Sequence, residues 1–200
     1  MKKIFFVVIL MISFGNTKAE TLNLMPFVGF GMSSSVELLD EEESVFGYEV
    51  GAEYGWYQDD RLHSATRLSL KNISASAGNI LISYELGMNV LSIGQSVSYD
   101  VDLFGRTLKP FAAVDLGAGL AKAEFSFLGD SAESDSKLTP YAAFTTGVRY
   151  PMGKWVPSIQ AGYQYAKVSE LKMNELDGVG FTSSADFSSA FVSLGLGMLF

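Results

Sequence analysis

The alternation of residues from Phe46 to Tyr57 restricts the fold of this chain more than any other sequence feature. In the stretch FGYEVGAEYGWY the even positions read Phe, Tyr, Val, Ala, Tyr and Trp, while the odd positions from 47 to 55 read Gly, Glu, Gly, Glu and Gly. A period of two residues predicts a β-strand with two unlike faces. In a soluble protein the glycine-rich face would be the solvated one, yet a solvated face has little need for three glycines. The alternation alone therefore leaves open which face is inside.

The N-terminus predicts export. Lys2 and Lys3 precede an apolar run over residues 4–14, and Thr17-Lys18-Ala19 places small residues at the positions that a signal peptidase prefers. The run is too short for a membrane helix, which needs about 20 residues. We therefore predict a cleavable signal peptide over residues 1–19 and a single mature domain over residues 20–200.

Charge and cysteine content exclude several kinds of partner and site. Removing Lys2, Lys3 and Lys18 from the 14 basic residues leaves 11 against 22 acidic ones, so the formal net charge falls from −8 to −11. This charge disfavours nucleic acid as a partner. The absence of cysteine excludes a disulfide framework, a thiolate metal site and a cysteine nucleophile.

The hydrophobic residues are dispersed along the mature chain. The sequence is 48% hydrophobic, yet the mature part has no apolar run of the length that marks a membrane helix. Dispersed, alternating hydrophobicity in an exported chain predicts an all-β fold, an antiparallel up-and-down transmembrane β-barrel.

Strand counting predicts eight strands. Residues 92–107 could form a ninth, but bacterial single-chain barrels have even strand numbers, so we assign this segment to an extended connection with at most a small ribbon. The connections after the first, third, fifth and seventh strands are then external loops, and the others are periplasmic turns. The predicted strands cover residues 22–33, 46–57, 61–71, 79 to about 91, 108–122, about 139–150, about 155–167 and 185–200.

Three segments, KPFAAVDLGAG (109–119), PYAAFTTGVRY (140–150) and AFVSLGLGMLF (190–200), resemble the small outer-membrane barrels of the opacity-protein and OmpX-like type. The resemblance implies an outer-membrane location, contact with lipids and lipopolysaccharide, and a last strand that the barrel-assembly machinery recognises. The positions that match this assembly signal are Ser193, Gly195, Met198 and Phe200, of which Met198 departs from the pattern because it is not aromatic. The resemblance also implies a surface antigen or adhesin with a host surface protein as a possible partner.

If the glycine-rich faces point inward, both signs of charge enter the lumen. An eight-stranded barrel is just wide enough for side chains to fill, and buried charges are costly unless they are paired. We therefore expect a structural plug in which Arg67 pairs with Glu49 or Glu53 and Arg149 pairs with Glu85 or Asp115; a gated ion path is the alternative. His63, Lys71, Gln160 and Gln164 are further polar residues of the same faces.

The densest charge cluster lies in the first predicted external loop and comprises Glu37, Asp40, Glu41, Glu42 and Glu43. Such a run is usually a solvated loop, although it could bind divalent cations at the lipopolysaccharide surface. A lipid A-modifying enzyme is disfavoured because the only histidine, His63, lies near the predicted periplasmic end and has Ala65 where a His-any-Ser pattern needs serine. No cofactor or metal motif stands out. A structural outer-membrane protein without a dedicated ligand remains the alternative to the adhesin.

Overall fold

The computed structural model describes residues 23–38, 41–78, 82–127, 130–172 and 182–200, most of them in antiparallel strands. The predicted signal peptide lies outside the described residues. No helix in the described part of the chain is long and apolar enough to cross a membrane. The strands are β1 (Asn23–Leu38), β2 (Glu41–Asp59), β3 (Leu62–Gly78), β4 (Ile82–Tyr99), β5 (Val101–Leu103), β6 (Arg106–Phe127), β7 (Asp130–Glu133), β8 (Lys137–Arg149), β9 (Trp155–Tyr165), β10 (Lys167–Lys172), β11 (Thr182–Asp186) and β12 (Ser189–Met198).

Eight of these strands form a closed ring in the order β4, β3, β2, β1, β12, β9, β8 and β6. Every neighbouring pair is antiparallel, and the long pairing of β4 with β6, from Ile82↔Phe127 to Ser98↔Phe111, closes the ring. The predicted eight-stranded antiparallel barrel is confirmed. The shorter strands extend the connections: β5 pairs with β6, β7 pairs with β6, and β10 pairs with β11 in a separate ribbon.

The two ends of the barrel differ in their connections. At the short-turn end, β2 joins β3, β4 joins β6 through the β5 ribbon, and β8 joins β9. Phe104 and Gly105 turn the β5–β6 ribbon with φ values of 53° and 74°, the left-handed region that glycine adopts without steric cost. The long-connection end carries the other four connections between barrel strands.

The prediction for residues 92–107 was wrong in its first half. Residues 92–99 continue β4 and pair with β6, with Ser92 opposite Gly117 and Ser98 opposite Phe111. Only residues 101–108 form the small ribbon that we allowed for. The connection is therefore tight, like the other two at the short-turn end.

The acidic stretch predicted as a loop is also largely strand. β1 and β2 stay paired through Val36↔Glu43, Glu37↔Glu42 and Leu38↔Glu41, after a register shift between Ser33 and Val36. Asp40 lies outside the described residues. The strands of the barrel thus reach further at the long-connection end than the apolar alternation predicted.

The orientation of the 46–57 stretch is resolved by exposure. Phe46, Tyr48, Val50 and Tyr54 expose 42–57% of their surface on the outside of the ring, whereas Glu49 and Glu53 are buried. The inside is crowded: a Cβ atom on Gly51 would lie 2.7 Å from Cζ of Phe27 and 2.9 Å from Cβ of Ser69. The glycine-rich face is the lumen face, and the apolar face forms a lipid-facing band around the barrel.

Beyond the lipid band, toward the long-connection end, the outward face of the barrel wall is polar and the inward face is apolar. On β4 the outward residues are apolar from Leu91 to Tyr99, apart from Gln95, but polar or small at positions 83, 85, 87 and 89. The inward residues of the same upper segment are large and apolar. Together with residues from the neighbouring strands they form the apolar cap, a buried cluster at the long-connection end: Val45, Ile73, Ala75, Tyr84, Leu86, Met88, Val90, Ala121, Ala123, Tyr141, Ala143, Ala166, Val168, Leu171 and Phe187.

Candidate functional site

The candidate site is a network of charged side chains inside the barrel, directly below the apolar cap. Charged residues point inward at this level from four strands, β2, β3, β6 and β8. On each strand they lie an even number of positions from small residues that also face the lumen. We call this set the charge network. It comprises Glu49, Glu53, Arg67, Lys71, Asp115 and Arg149, and salt bridges connect all of its members.

Arg67 occupies the centre of the charge network. Its side chain is 3% exposed, and its Nη2 atom donates a hydrogen bond to Oε1 of Glu49 at 3.4 Å. Its Nε atom lies 3.4 Å from Oε1 of Glu53 and 3.8 Å from Oδ1 of Asp115. The guanidinium also stacks over the Phe27 ring, 5.0 Å from its centroid, in a cation–π contact. One cation thus serves three carboxylates.

Arg149 and Lys71 complete the network at opposite ends. The Nη2 atom of Arg149 donates a hydrogen bond to Oε1 of Glu53 at 2.6 Å. The Lys71 ammonium donates to the Tyr141 hydroxyl at 2.9 Å and lies 3.9 Å from Oε2 of Glu49. Three cations therefore face three carboxylates, so the network has no net formal charge.

The structure places five of the six predicted lumen residues together and displaces one. Glu85 was predicted to face the lumen, but its side chain is exposed on the outside of β4, above the lipid band. The predicted pairing of Arg149 with Glu85 or Asp115 is wrong as well, since Arg149 pairs with Glu53 and Asp115 lies against Arg67. The misplacement of Glu85 comes from treating the apolar residues 84, 86, 88 and 90 as lipid-facing, whereas the pairing of Arg149 with Glu53 connects β8 to the distant strand β2 and depends on barrel closure.

Three cavities adjoin the charge network. A cavity of about 100 Å³ opens at the short-turn end beside Glu53 and Arg149. One of about 20 Å³ lies among Arg67, Arg149 and Gln160, and one of about 40 Å³ lies near Lys71 and Gln164. Since a cavity needs about 10–15 Å³ of such volume to hold one water molecule, each of these cavities has room for water. Polar side chains that face the lumen also bond to one another, as in the hydrogen bond from Gln160 to Ser193 at 2.8 Å.

His63 lies at the short-turn end, as its position after the β2–β3 turn predicted. Its Nε2 atom is 3.0 Å from Oδ2 of Asp100, and the Lys109 ammonium is 3.0 Å from the other oxygen of the same carboxylate. Asp100 follows directly after β4, in the segment that the sequence assigned to a long connection, so this ion-paired cluster was not predicted. Of this cluster, His63 and Lys109 line the 100 Å³ cavity.

At the long-connection end, an ion pair links the two strands of the β10–β11 ribbon. The Lys167 ammonium lies 3.0 Å from Oδ2 of Asp186. The hydrogen bond that the Lys167 ammonium donates to the Asp186 carboxylate raises the pKa of Lys167. Partial burial alone would raise the pKa of Asp186, but hydrogen bonds from Ser188 and the nearby Lys167 lower it. Both groups are therefore charged across the neutral range, although an exposed pair of this kind adds little stability.

The predicted assembly signal lies along β12 and the residues after it. Ser193 and Gly195 face the lumen, where Ser193 pairs with Gly31 and Gly195 with Gly29 of β1. Met198 is the last residue of β12, and Phe200 is 70% exposed and donates its backbone N–H to the Leu24 carbonyl at 3.3 Å. The C-terminal strand thus closes the barrel against the first strand.

Comparisons with known proteins support the fold. Neither a protein-family model nor a curated protein sequence matches the chain. Among solved structures, Ail, the attachment invasion locus protein of Yersinia pestis, in complex with the heparin analogue sucrose octasulfate, matches 90% of this chain over its whole length with 18% identity and a TM-score of 0.50. The outer membrane protease OmpT from Escherichia coli matches 93% of this chain over its whole length with 7% identity and a TM-score of 0.57.

A third solved structure is the outer membrane protein OprG from Pseudomonas aeruginosa. It matches 90% of this chain and 96% of its own length, with 12% identity and a TM-score of 0.50. At these identities the likeness concerns the fold alone. That fold is the closed antiparallel barrel of small outer-membrane proteins, and the lipid band described above is consistent with it.

Proposed function

We propose that this small outer-membrane β-barrel is a surface attachment protein or antigen, which acts through its acidic long-connection end and whose lumen is a structural plug. One observation carries the proposal: a charge network without net formal charge lies inside the barrel below the apolar cap, while the barrel strands continue beyond the lipid band. Such a barrel has little internal space for a solute, but its projecting strands form a firm surface outside the membrane.

The filled lumen supports a plug rather than a channel. The salt bridge of Arg149 with Glu53 crosses the ring from β8 to β2, in a barrel that is already narrow. Arg67 is buried beside the same carboxylate. Above them Leu86, Met88 and Phe187 are fully buried. An ion would have to break buried salt bridges and then cross this apolar layer, and both steps are costly.

The long-connection end supports a binding role. In the orientation that the resemblance implies, this end faces outward from the cell, and the walls formed by β3, β4 and β6 project there. Glu85, Glu124 and Asp135 are exposed on this projection, and the acidic residues from Glu41 to Glu43 lie in the β1–β2 extension. We infer that a partner of complementary charge, a host or envelope protein with a basic patch, fits this surface.

This proposed ligand differs in charge from the one in the Ail structure, a heparin analogue. A polyanion would be repelled by a mature chain with a formal net charge of −11 after removal of the predicted signal peptide. We therefore propose attachment through the long-connection end of the barrel, and we do not propose binding of a sulfated sugar.

We further propose that the protein is not an enzyme, although OmpT, a protease, has a similar fold. His63 is engaged by Asp100 and Lys109 at the short-turn end, away from the long connections where an external substrate would arrive. For assembly, we propose that the barrel-assembly machinery recognises Ser193, Gly195, Met198 and Phe200 at the end of the chain.

The proposal is tested with a deletion strain that carries either the natural protein or a variant in which Glu37, Glu41, Glu42 and Glu43 are changed to glutamine. We expect the deletion and the variant both to lose binding to host cells, and neither to change detergent sensitivity. A matched control changes Asp59, Asp60 and Asp102 at the short-turn end to asparagine and should bind like the natural protein. Increased detergent sensitivity with unchanged binding would instead favour a purely structural protein.

The plug is tested separately by conductance of the purified protein in planar bilayers. We expect no discrete current steps, because the charge network and the apolar cap block the axis in series. Regular steps from the natural protein would contradict the plug and favour the gated ion path.

A further inference from the structure

A polar side chain lies on the lipid-facing side of the barrel at the middle of the lipid band. Gln95 belongs to β4, where the other outward residues of the band, Leu91, Ile93, Val97 and Tyr99, are apolar and 47–59% exposed. Gln95 lies four positions from each end of this series, which is about 13 Å of strand in either direction. Its partner on β3, Thr66, is likewise midway between Leu62 and Leu70.

The carboxamide of Gln95 is only partly satisfied by the barrel itself. Its Nε2 atom donates to the Thr66 hydroxyl at 2.8 Å, and its Oε1 atom accepts from Nε1 of Trp56 at 3.3 Å. Trp56 is the extra residue at the register shift between β2 and β3, and such a bulge re-aims a side chain. A glutamine amide has two N–H donors and two acceptor lone pairs, so one donor and one acceptor remain within the described structure.

Hydrocarbon offers no partner for these remaining groups. Polar side chains at this depth are costly, and those that occur usually mark a function. Lipid headgroups lie at the two surfaces of the bilayer, not at its middle. The remaining donor and acceptor of Gln95 would gain hydrogen-bonding partners if another protein in the membrane packed against this surface.

We propose that this outward surface of β3, β4 and β6, centred on Gln95, is the interface of a homodimer. The free donor and acceptor of one carboxamide match those of a second copy related by a two-fold axis, so the two Gln95 side chains satisfy each other in an isologous contact. Thr66, opposite Gln95, and Ala112, opposite Val97, are small and leave room for a second barrel to approach this surface. The surface has no charged residue that would select an oppositely charged partner.

The cysteine-free chain makes a direct test possible. Val97→Cys places a thiol two residues from Gln95 on the same face, and Leu194→Cys places one at similar depth on β12, which is opposite β4 in the ring. Ile93→Cys, on the other side of Gln95, provides a second reporter. Each variant is reconstituted in liposomes and expressed in outer membranes, checked for heat-modifiable gel migration, and treated with a short bismaleimide cross-linker.

We expect cross-linked dimers from Val97→Cys and Ile93→Cys, and none above background from Leu194→Cys. Adding Gln95→Leu should weaken association about eightfold, the loss expected for two hydrogen bonds within a membrane, while the barrel still folds because leucine suits the lipid face. Equal cross-linking from Leu194→Cys, no cross-linking from both β4 reporters, or no effect of Gln95→Leu would overturn the proposal. Cross-linked products with other membrane proteins alone would overturn the choice of a second copy as the partner.

Discussion

At the residue scale, the stability of this barrel depends on whether each buried charge has a partner. Arg67 is the clearest case, because Glu49, Glu53 and Asp115 all lie within 4 Å of its guanidinium. Removing one member of a buried pair leaves the others uncompensated, which costs far more than the pair contributes over an apolar replacement. The same residue types near the surface have much smaller effects.

Arg67→Leu should therefore lower the free energy of unfolding by about 3–5 kcal/mol. Arg61→Leu is the matched control, because Arg61 pairs with Asp102 across the short-turn end with both side chains more than half exposed. Its effect should stay below about 1 kcal/mol. Urea unfolding in detergent, followed by tryptophan fluorescence, measures both values, and comparable losses in the two variants would contradict the network.

Glycine at the lumen face is a second residue-scale requirement. A Cβ atom on Gly117 would collide with the Leu91 carbonyl oxygen and lie 2.8 Å from Cα of Ser92. Because these are backbone atoms of β4, Gly117→Ala should destabilise the barrel by about 1–3 kcal/mol.

Gly87→Ala is the control for this prediction, since a Cβ atom there has nothing within 4 Å. It should leave the unfolding midpoint unchanged or raise it slightly, because glycine is unfavourable in a strand. If both alanine variants unfold at the same urea concentration, the crowding of the lumen is not what requires glycine at position 117.

At the element scale, β4 shows what the sequence predicted and why it failed in part. The period-two pattern identified the strand, but not which face is inside, because the strand is longer than the membrane is thick. From Leu91 toward the short-turn end, the outward face of β4 is apolar, as contact with lipid requires. From Val90 toward the long-connection end, the inward face is apolar, as in a soluble core. The consecutive apolar residues Val90 and Leu91 mark the point where the pattern changes phase.

The other errors have the same physical origin. On β3 the apolar residues face outward up to Leu70 and inward from Ile73. Because the outer face beyond Leu70 is polar, the apolar alternation did not indicate that the strand continues to Gly78. By contrast, Arg67 and Glu53 were predicted to pair because they lie within the membrane, where the alternation keeps one phase. Hydrogen-bond partners such as Tyr141 for Lys71 lie on distant strands and depend on barrel closure, which local patterns do not specify.

The projecting segments carry a like-charge pair that predicts a stabilising change. Glu85 of β4 lies directly opposite Glu124 of β6, and both side chains are exposed. Glu124→Gln should raise the free energy of unfolding by about 0.2–1 kcal/mol, because like charges directly opposite each other destabilise a sheet.

The comparison variant is Glu133→Gln on β7, which removes the salt bridge to Lys122 and also a second like-charge contact, because Glu133 lies opposite Glu124 on the other side of β6. These two losses oppose each other, so this change should stabilise the protein less than Glu124→Gln or not at all. Urea midpoints at low ionic strength compare the two variants, and a loss of stability in Glu124→Gln would refute the repulsion.

At the scale of the whole molecule, the barrel has two kinds of surface at two levels. The lower part is apolar outside and charged inside, and the upper part is polar outside and apolar inside. Because the proposed partner recognises the acidic upper part, attachment to host cells should weaken as the salt concentration rises, as screening of exposed charges requires. Binding that is insensitive to salt would point to apolar contacts instead.

The most direct test of this two-level organisation is a scan of β4 with single cysteines that carry nitroxide spin labels, in lipid vesicles. Collision with oxygen reports lipid exposure, and collision with a water-soluble nickel complex reports aqueous exposure. We expect oxygen accessibility at positions 91, 93, 97 and 99, nickel accessibility at 83, 85 and 89, and protection from both at 86, 88 and 90. Strong oxygen accessibility at 86, 88 and 90, with nickel accessibility at 91, 93 and 97, would contradict the inversion and the orientation of the barrel wall.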